Sequence, residues 1–110
     1  MRALATGDRD EDGVQDFPPI EDLHLGVVSS DMGLVGILGI PGCDDFGDDG
    51  ILRHLPDPTT AGCDASYPKF LRYVAATDDA ETTADDFACI ASLGTDGCGF
   101  EQHLESMKRA

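Results

Sequence analysis

Four cysteines, Cys43, Cys63, Cys89 and Cys98, constrain this chain more than any other feature of its sequence. Its 110 residues leave room for one small domain. The core it can build is modest: 41% of residues are apolar, but only 6% are aromatic and none is tryptophan. Domains of this size gain from staples, metals or partners. A zinc site would want a close pair such as Cys-x-x-Cys, because one tight turn must present two thiolates to a tetrahedral ion. The spacings here are far wider, and the histidines show no ligand spacing either. A catalytic thiol is disfavoured too: Cys98 falls near a helix start, where the dipole favours a thiolate, but the sequence offers it no oriented histidine. Two disulfides are therefore expected. Four cysteines allow three pairings. Joining neighbours is the natural one, with Cys43–Cys63 tying off a glycine-rich loop and Cys89–Cys98 locking the turn between two helices. Each closure would contribute about 3 kcal/mol in the loop-entropy picture. Both need an oxidising compartment, which places the parent protein outside the cell, in a periplasm or at a cell surface.

Charge narrows the partners. Acidic residues outnumber basic ones 22 to 7, a formal charge of −15. Such a chain repels nucleic acid and anionic lipid, attracts cations, and strains against its own carboxylates unless they are screened. The longest apolar run, Gly33 to Pro41, is about half the length that crosses a bilayer. The opening residues, Met1 to Gly7, lack the apolar stretch of a signal peptide, so an exported reading implies a piece of a longer protein.

Along the chain, residues 1–22 are polar, acidic and interrupted by Pro18-Pro19, which predicts a loop or insertion. Leu23–Ser29 is the best strand, short, β-branched and apolar on both faces. Met32 to Thr60 carries glycine, proline and aspartate throughout and predicts loops or an irregular hairpin. Tyr67–Ala76 fits either a strand or a short helix. The last third is helical: Thr83 and Asp86 form a capping pair, and Phe87, Ile90 and Ala91 line one face. After a break over Gly94–Gly99, Phe100, Leu104 and Met107 form the stripe of a second helix, with Glu101 near its start and Lys108 and Arg109 near its end.

The segment from Asp8 to Asp16 is an aspartate ladder. Asp8, Asp10, Asp12 and Asp16 occupy the first, third, fifth and ninth positions of a calcium loop. Gly13 takes the sixth, where the chain must turn sharply, and Val14 the seventh, where a carbonyl is the ligand. The twelfth position, which holds a bidentate glutamate in helix–loop–helix calcium hands, is Pro19, and Glu21 or Asp22 would have to substitute. The pattern is closer to the Asp-x-Asp-x-Asp-Gly-x-x-Asp repeats of extracellular calcium proteins. A second acidic cluster, Asp44 to Gly50, lacks the alternating register and reads as a solvated loop.

Three segments, Asp22–Gly33, Asp86–Leu93 and Gly94–Gln102, resemble the von Willebrand factor A-like domains of exported bacterial proteins, often lipoproteins. Cys-Gly-Phe-Glu-Gln over residues 98–102 is the most specific part. The resemblance implies an α/β fold, a doubly wound, Rossmann-like sheet with flanking helices, here partial and carrying long disulfide-tied loops. It makes 1–22 an acidic insertion and 23–110 an incomplete domain, with the two late helices joined at the family's metal-site edge. That family holds a divalent ion through Asp-x-Ser-x-Ser, a loop threonine and a downstream aspartate. Asp-x-Ser-x-Ser and the downstream aspartate are missing here, and Thr95 is the one candidate remnant of that site. Magnesium or another divalent ion would bind at this edge only if a longer parent chain supplied the motif.

Two functions follow as expectations. The first is a non-catalytic extracellular adhesion-type module recognising a protein or cell-surface ligand. The alternative is a calcium-stabilised structural segment with no recognition role of its own. An enzyme is not expected, since His24, His54 and His103 join no serine–carboxylate set at workable spacing.

Overall fold

The computed structural model describes residues 2–43, 46–95 and 97–110. In chain order its elements are α1 (Arg2–Thr6), β1 (Asp22–Leu25), β2 (Leu71–Val74), α2 (Ala80–Ala91) and α3 (His103–Arg109). The fold is thus a small mixed α/β arrangement with one two-stranded sheet, three helices and two disulfides among the described residues. The strands run antiparallel, with Asp22 opposite Val74 and Leu25 opposite Leu71. Between Leu25 and Leu71 the described residues carry no regular element, as the run of glycine, proline and aspartate predicts.

The first strand is shorter than its sequence suggests, and it is not buried on both faces. Leu23 and Leu25 are half-buried, while Asp22 and His24 lie on an exposed face. There Arg72 holds Asp22 at 2.7 Å, and the His24 ring lies 5.4 Å from that of Phe70. The alternation arises because one face alone has a layer to pack on. That layer is α2, and the core between them is Val27, Leu71 and Ile90, flanked by Leu25, Tyr67, Phe87 and Leu93. Within Tyr67–Ala76 the strand is Leu71–Val74, with Leu71 in this core and Tyr73 buried on the same face of the strand.

Helix α2 begins earlier than the Thr83–Asp86 pair would place it. Asp79 is the N-cap, its carboxylate accepting from the Thr82 backbone N–H at 2.7 Å and the Thr82 hydroxyl at 2.8 Å. Thr83 instead faces inward, its hydroxyl donating to the Asp79 carbonyl. The buried stripe is Thr83 and Ile90, with Phe87 half-buried between them, and Ala91 is exposed. In α3 the expected stripe faces solvent: Phe100, Leu104 and Met107 are all exposed, and Ser106 is the buried residue. The reason lies in Gly50, above whose Cα the Ser106 carbonyl and the Arg109 Cβ sit closely. Only a small side chain on α3 fits against that loop.

The disulfides are not between neighbours. Cys43 pairs with Cys98 and Cys63 with Cys89, so the second loop is nested within the first. Cys89 lies in the last turn of α2, beside the loop that carries Cys63. Cys98 lies beyond the Gly94 turn, where the chain departs from α2 to meet residues 30–43. Gly42 permits that meeting: its φ is 75°, and a Cβ there would sit 2.8 Å from the Gly97 carbonyl. With ring closures spanning 55 and 26 residues, each bridge stabilises by about 3.5–4 kcal/mol in the same entropy picture.

Candidate metal centre

The aspartate ladder starts where α1 ends. The Gly7 carbonyl accepts from the backbone N–H of Asp16 at 2.8 Å and of Phe17 at 3.1 Å, closing residues 8–15 into a loop. Ile20 N–H then returns to the Leu4 carbonyl at 2.9 Å, tying the exit of the loop to α1. Inside, carboxylates organise the backbone. Asp8 accepts from Gly13 N–H at 2.9 Å, Asp16 from Arg9 N–H at 2.8 Å, and Asp12 from Val14 N–H at 2.8 Å. Gly13 has φ 87°, the left-handed turn that the sixth position of a calcium loop requires.

The result brings Asp8, Asp10 and Asp16 together, with one carboxylate oxygen of each within 4.8 Å of the others. Oxygens across a calcium ion, each at 2.3–2.6 Å, stand up to about 5 Å apart, so one ion can touch all three. Asp12 is not part of this cluster, since its carboxylate closes the turn at Val14, which is itself 66% exposed. Neither stand-in for the twelfth ligand belongs to this group of carboxylates, and Asp22 on β1 is engaged by Arg72 on β2. The guanidinium of Arg72 holds the Asp22 carboxyl below its usual range.

One atom sets this cluster apart from a solvated acidic turn. Asp8 Oδ1 is buried and has no hydrogen-bond partner. A buried carboxylate oxygen without a donor or cation is costly. The other oxygen of the same group is satisfied by Gly13, so the orphan cannot be relieved by rotating the carboxylate without losing that bond.

A second concave region lies at the disulfide-braced edge. A crevice of about 280 Å³ is lined by Ser29, Asp31, Asp48, Arg53, Thr95 and Glu101, among others. Asp48 is not a solvated loop residue: it accepts from the Ser29 hydroxyl at 2.6 Å and from Arg53 Nη1 at 3.0 Å. Asp44 and Asp45 of the same acidic cluster lie outside the described residues. Thr95 is exposed on the rim. Ser29, the Asp48–Arg53 pair and Glu101 are far apart in sequence, and no spacing signals their meeting. The ladder, by contrast, is local: its spacing names Asp8, Asp10 and Asp16, which the fold brings together, and also Asp12, which it turns to the Val14 N–H.

No known protein family, curated protein or solved structure matches this chain. No helix among the described residues is long and apolar enough to cross a membrane.

Proposed function

We propose that the chain is a calcium-stabilised, non-catalytic segment of an exported protein, with the ion held by Asp8, Asp10 and Asp16 and the remaining positions filled by water. The single observation that carries this reading is the unpaired buried oxygen of Asp8 beside two further carboxylates. Calcium supplies the missing partner for that oxygen and removes the repulsion among three like charges. It also suits the compartment, because two disulfides are compatible with an oxidising, calcium-rich exterior. The loop is bonded to α1, and Arg2 of α1 pairs with Glu81 of α2 at 3.1 Å, so the ion would act as a clasp on the amino-terminal arm.

Calorimetric titration of CaCl2 into metal-free protein tests the site. One ion should bind with a Kd of roughly 10⁻⁴–10⁻³ M, the range of extracellular modules with few charged ligands. Asp10→Asn and Asp16→Asn should each abolish the heat. A wild-type chain that gives no heat at millimolar calcium overturns the proposal.

A second reading, an adhesion-type module of the von Willebrand factor A-like kind, is favoured by one arrangement. The Gln102 N–H donates to the Ser30 carbonyl at 3.0 Å, and its side chain donates to the Gly33 carbonyl at 3.1 Å. Two of the three segments that carry the resemblance are thereby joined. An antiparallel pair is compatible with the edge of a larger doubly wound sheet, where such strands are common. In that reading residues 23–110 form the domain and 1–22 its insertion, Thr95 stands at the metal-site edge, and a protein or cell-surface ligand binds there. A longer parent chain, assayed for ligand binding with and without magnesium, separates this reading from a purely structural segment.

A further inference from the structure

The strip formed by Asp31–Gly33, Asp48–Asp49 and Glu101–Gln102 divides two depressions of opposite character. One is the acidic crevice already described. The other is a groove of about 250 Å³ with an apolar floor that includes Met32, Val35, Ile37 and Phe46, bordered by Asp49 and Glu105. The two adjoin, because their linings alternate along the strip: Asp31 with Met32, Asp48 with Asp49, Glu101 with Gln102. Hydrogen bonds hold the segments of the strip together: Asp48 N–H to the Asp31 carbonyl at 2.9 Å, the two from Gln102 to Ser30 and Gly33, and the Ser30 hydroxyl to the Glu101 carboxylate. The Cys43–Cys98 bridge braces both sides.

We propose that this double depression docks a basic, amphipathic peptide segment of a partner protein, placing an apolar side chain in the groove and a lysine or arginine in the crevice. Val35, Ile37 and Phe46 are 62%, 52% and 56% exposed and line the same groove. Charge chooses the occupant. Among the described residues lining the crevice, Asp31, Asp48 and Glu101 stand with one cation, Arg53, which Asp48 holds at 3.0 Å, and Arg109 at the groove is already held by Asp49 at 2.8 Å and by Glu105. A second copy would bring another −15 against the first, whereas a cationic segment gains from the field of the whole molecule. The inference goes beyond the calcium reading and does not use the ladder.

The test is fluorescence anisotropy of the oxidised full chain with three labelled synthetic peptides at physiological salt: leucine–lysine, lysine–glycine of equal charge, and leucine–glutamate. The leucine–lysine peptide should bind about tenfold or more tighter than the lysine–glycine one, the value of one well-buried aliphatic side chain. The double variant Val35→Asp/Ile37→Asp should remove that advantage, Glu101→Gln should weaken binding several-fold, and Asp10→Asn should leave it unchanged. Both loop residues are exposed, so the double variant keeps the core. Equal binding of the two cationic peptides, or an unchanged affinity in the double variant, overturns the proposal. So does self-association in sedimentation that the double variant abolishes, which would assign the face to a second copy.

Discussion

Asp79 and Ile90 show how much of α2 rests on single side chains. Ile90 is fully buried where the helix meets Val27 and Leu71. Ile90→Ala should cost about 2–5 kcal/mol, the range for buried aliphatic truncations, read as a lowered denaturation midpoint at unchanged slope. Leu104→Ser, on the exposed face of α3, should change stability by less than about 0.5 kcal/mol. At Asp79, the two donations from Thr82 hold the carboxyl below its usual range. A carboxyl with a lowered folded value stabilises above its unfolded pKa and loses that contribution as pH falls through the folded value. Asp79→Ala should therefore lower Tm by a few degrees at neutral pH, and the two melting curves should converge once the pH is well below 3.8. A difference that persisted at low pH would mean the cap acts through something other than its charge.

At the scale of elements, what could be read from the sequence was what is local. The strand at Leu23, the helical period through Phe87 and Ile90, the break at Gly94–Gly99 and the ladder's turn at Gly13 each depend on neighbours within a few residues. What needed distant partners was not legible. The orientation of α3 follows from its contact with Gly50, half the chain away. The disulfide pairing follows from where Cys98 lies once the chain has left α2, and no spacing rule encodes that position. Helix α1 was hidden for a related reason: five residues are too few to show a period, and its place is set by the return of Ile20 to Leu4. Peptide mapping without reduction should recover Cys43 linked to Cys98 and Cys63 linked to Cys89. Peptides joining Cys43 to Cys63 would restore the neighbour pairing and contradict the nested one.

The whole molecule is extended. Its Cα radius of gyration is 16.8 Å and its extents are 54 × 27 × 22 Å, against about 13 Å for a compact chain of this length. Its accessible surface is 7505 Å², against about 5,800 Å² expected for its mass. A small core and a formal −15, held by two nested bridges, set the fold against its own charge repulsion, which screening relieves. Raising NaCl from low to physiological concentration should raise Tm in the wild type and in ladder variants alike, because screening acts on the total charge. Calcium should do something that salt does not.

The most direct measurement of that claim is thermal melting at fixed ionic strength, with CaCl2 or with chelator. At a concentration about one hundred times Kd, a single site adds about 2.7 kcal/mol to stability. The wild type should show a matching rise in Tm, and Asp8→Asn and Asp10→Asn should show none. Equal rises in wild type and variants, or no rise in the wild type, would contradict a calcium clasp at Asp8, Asp10 and Asp16.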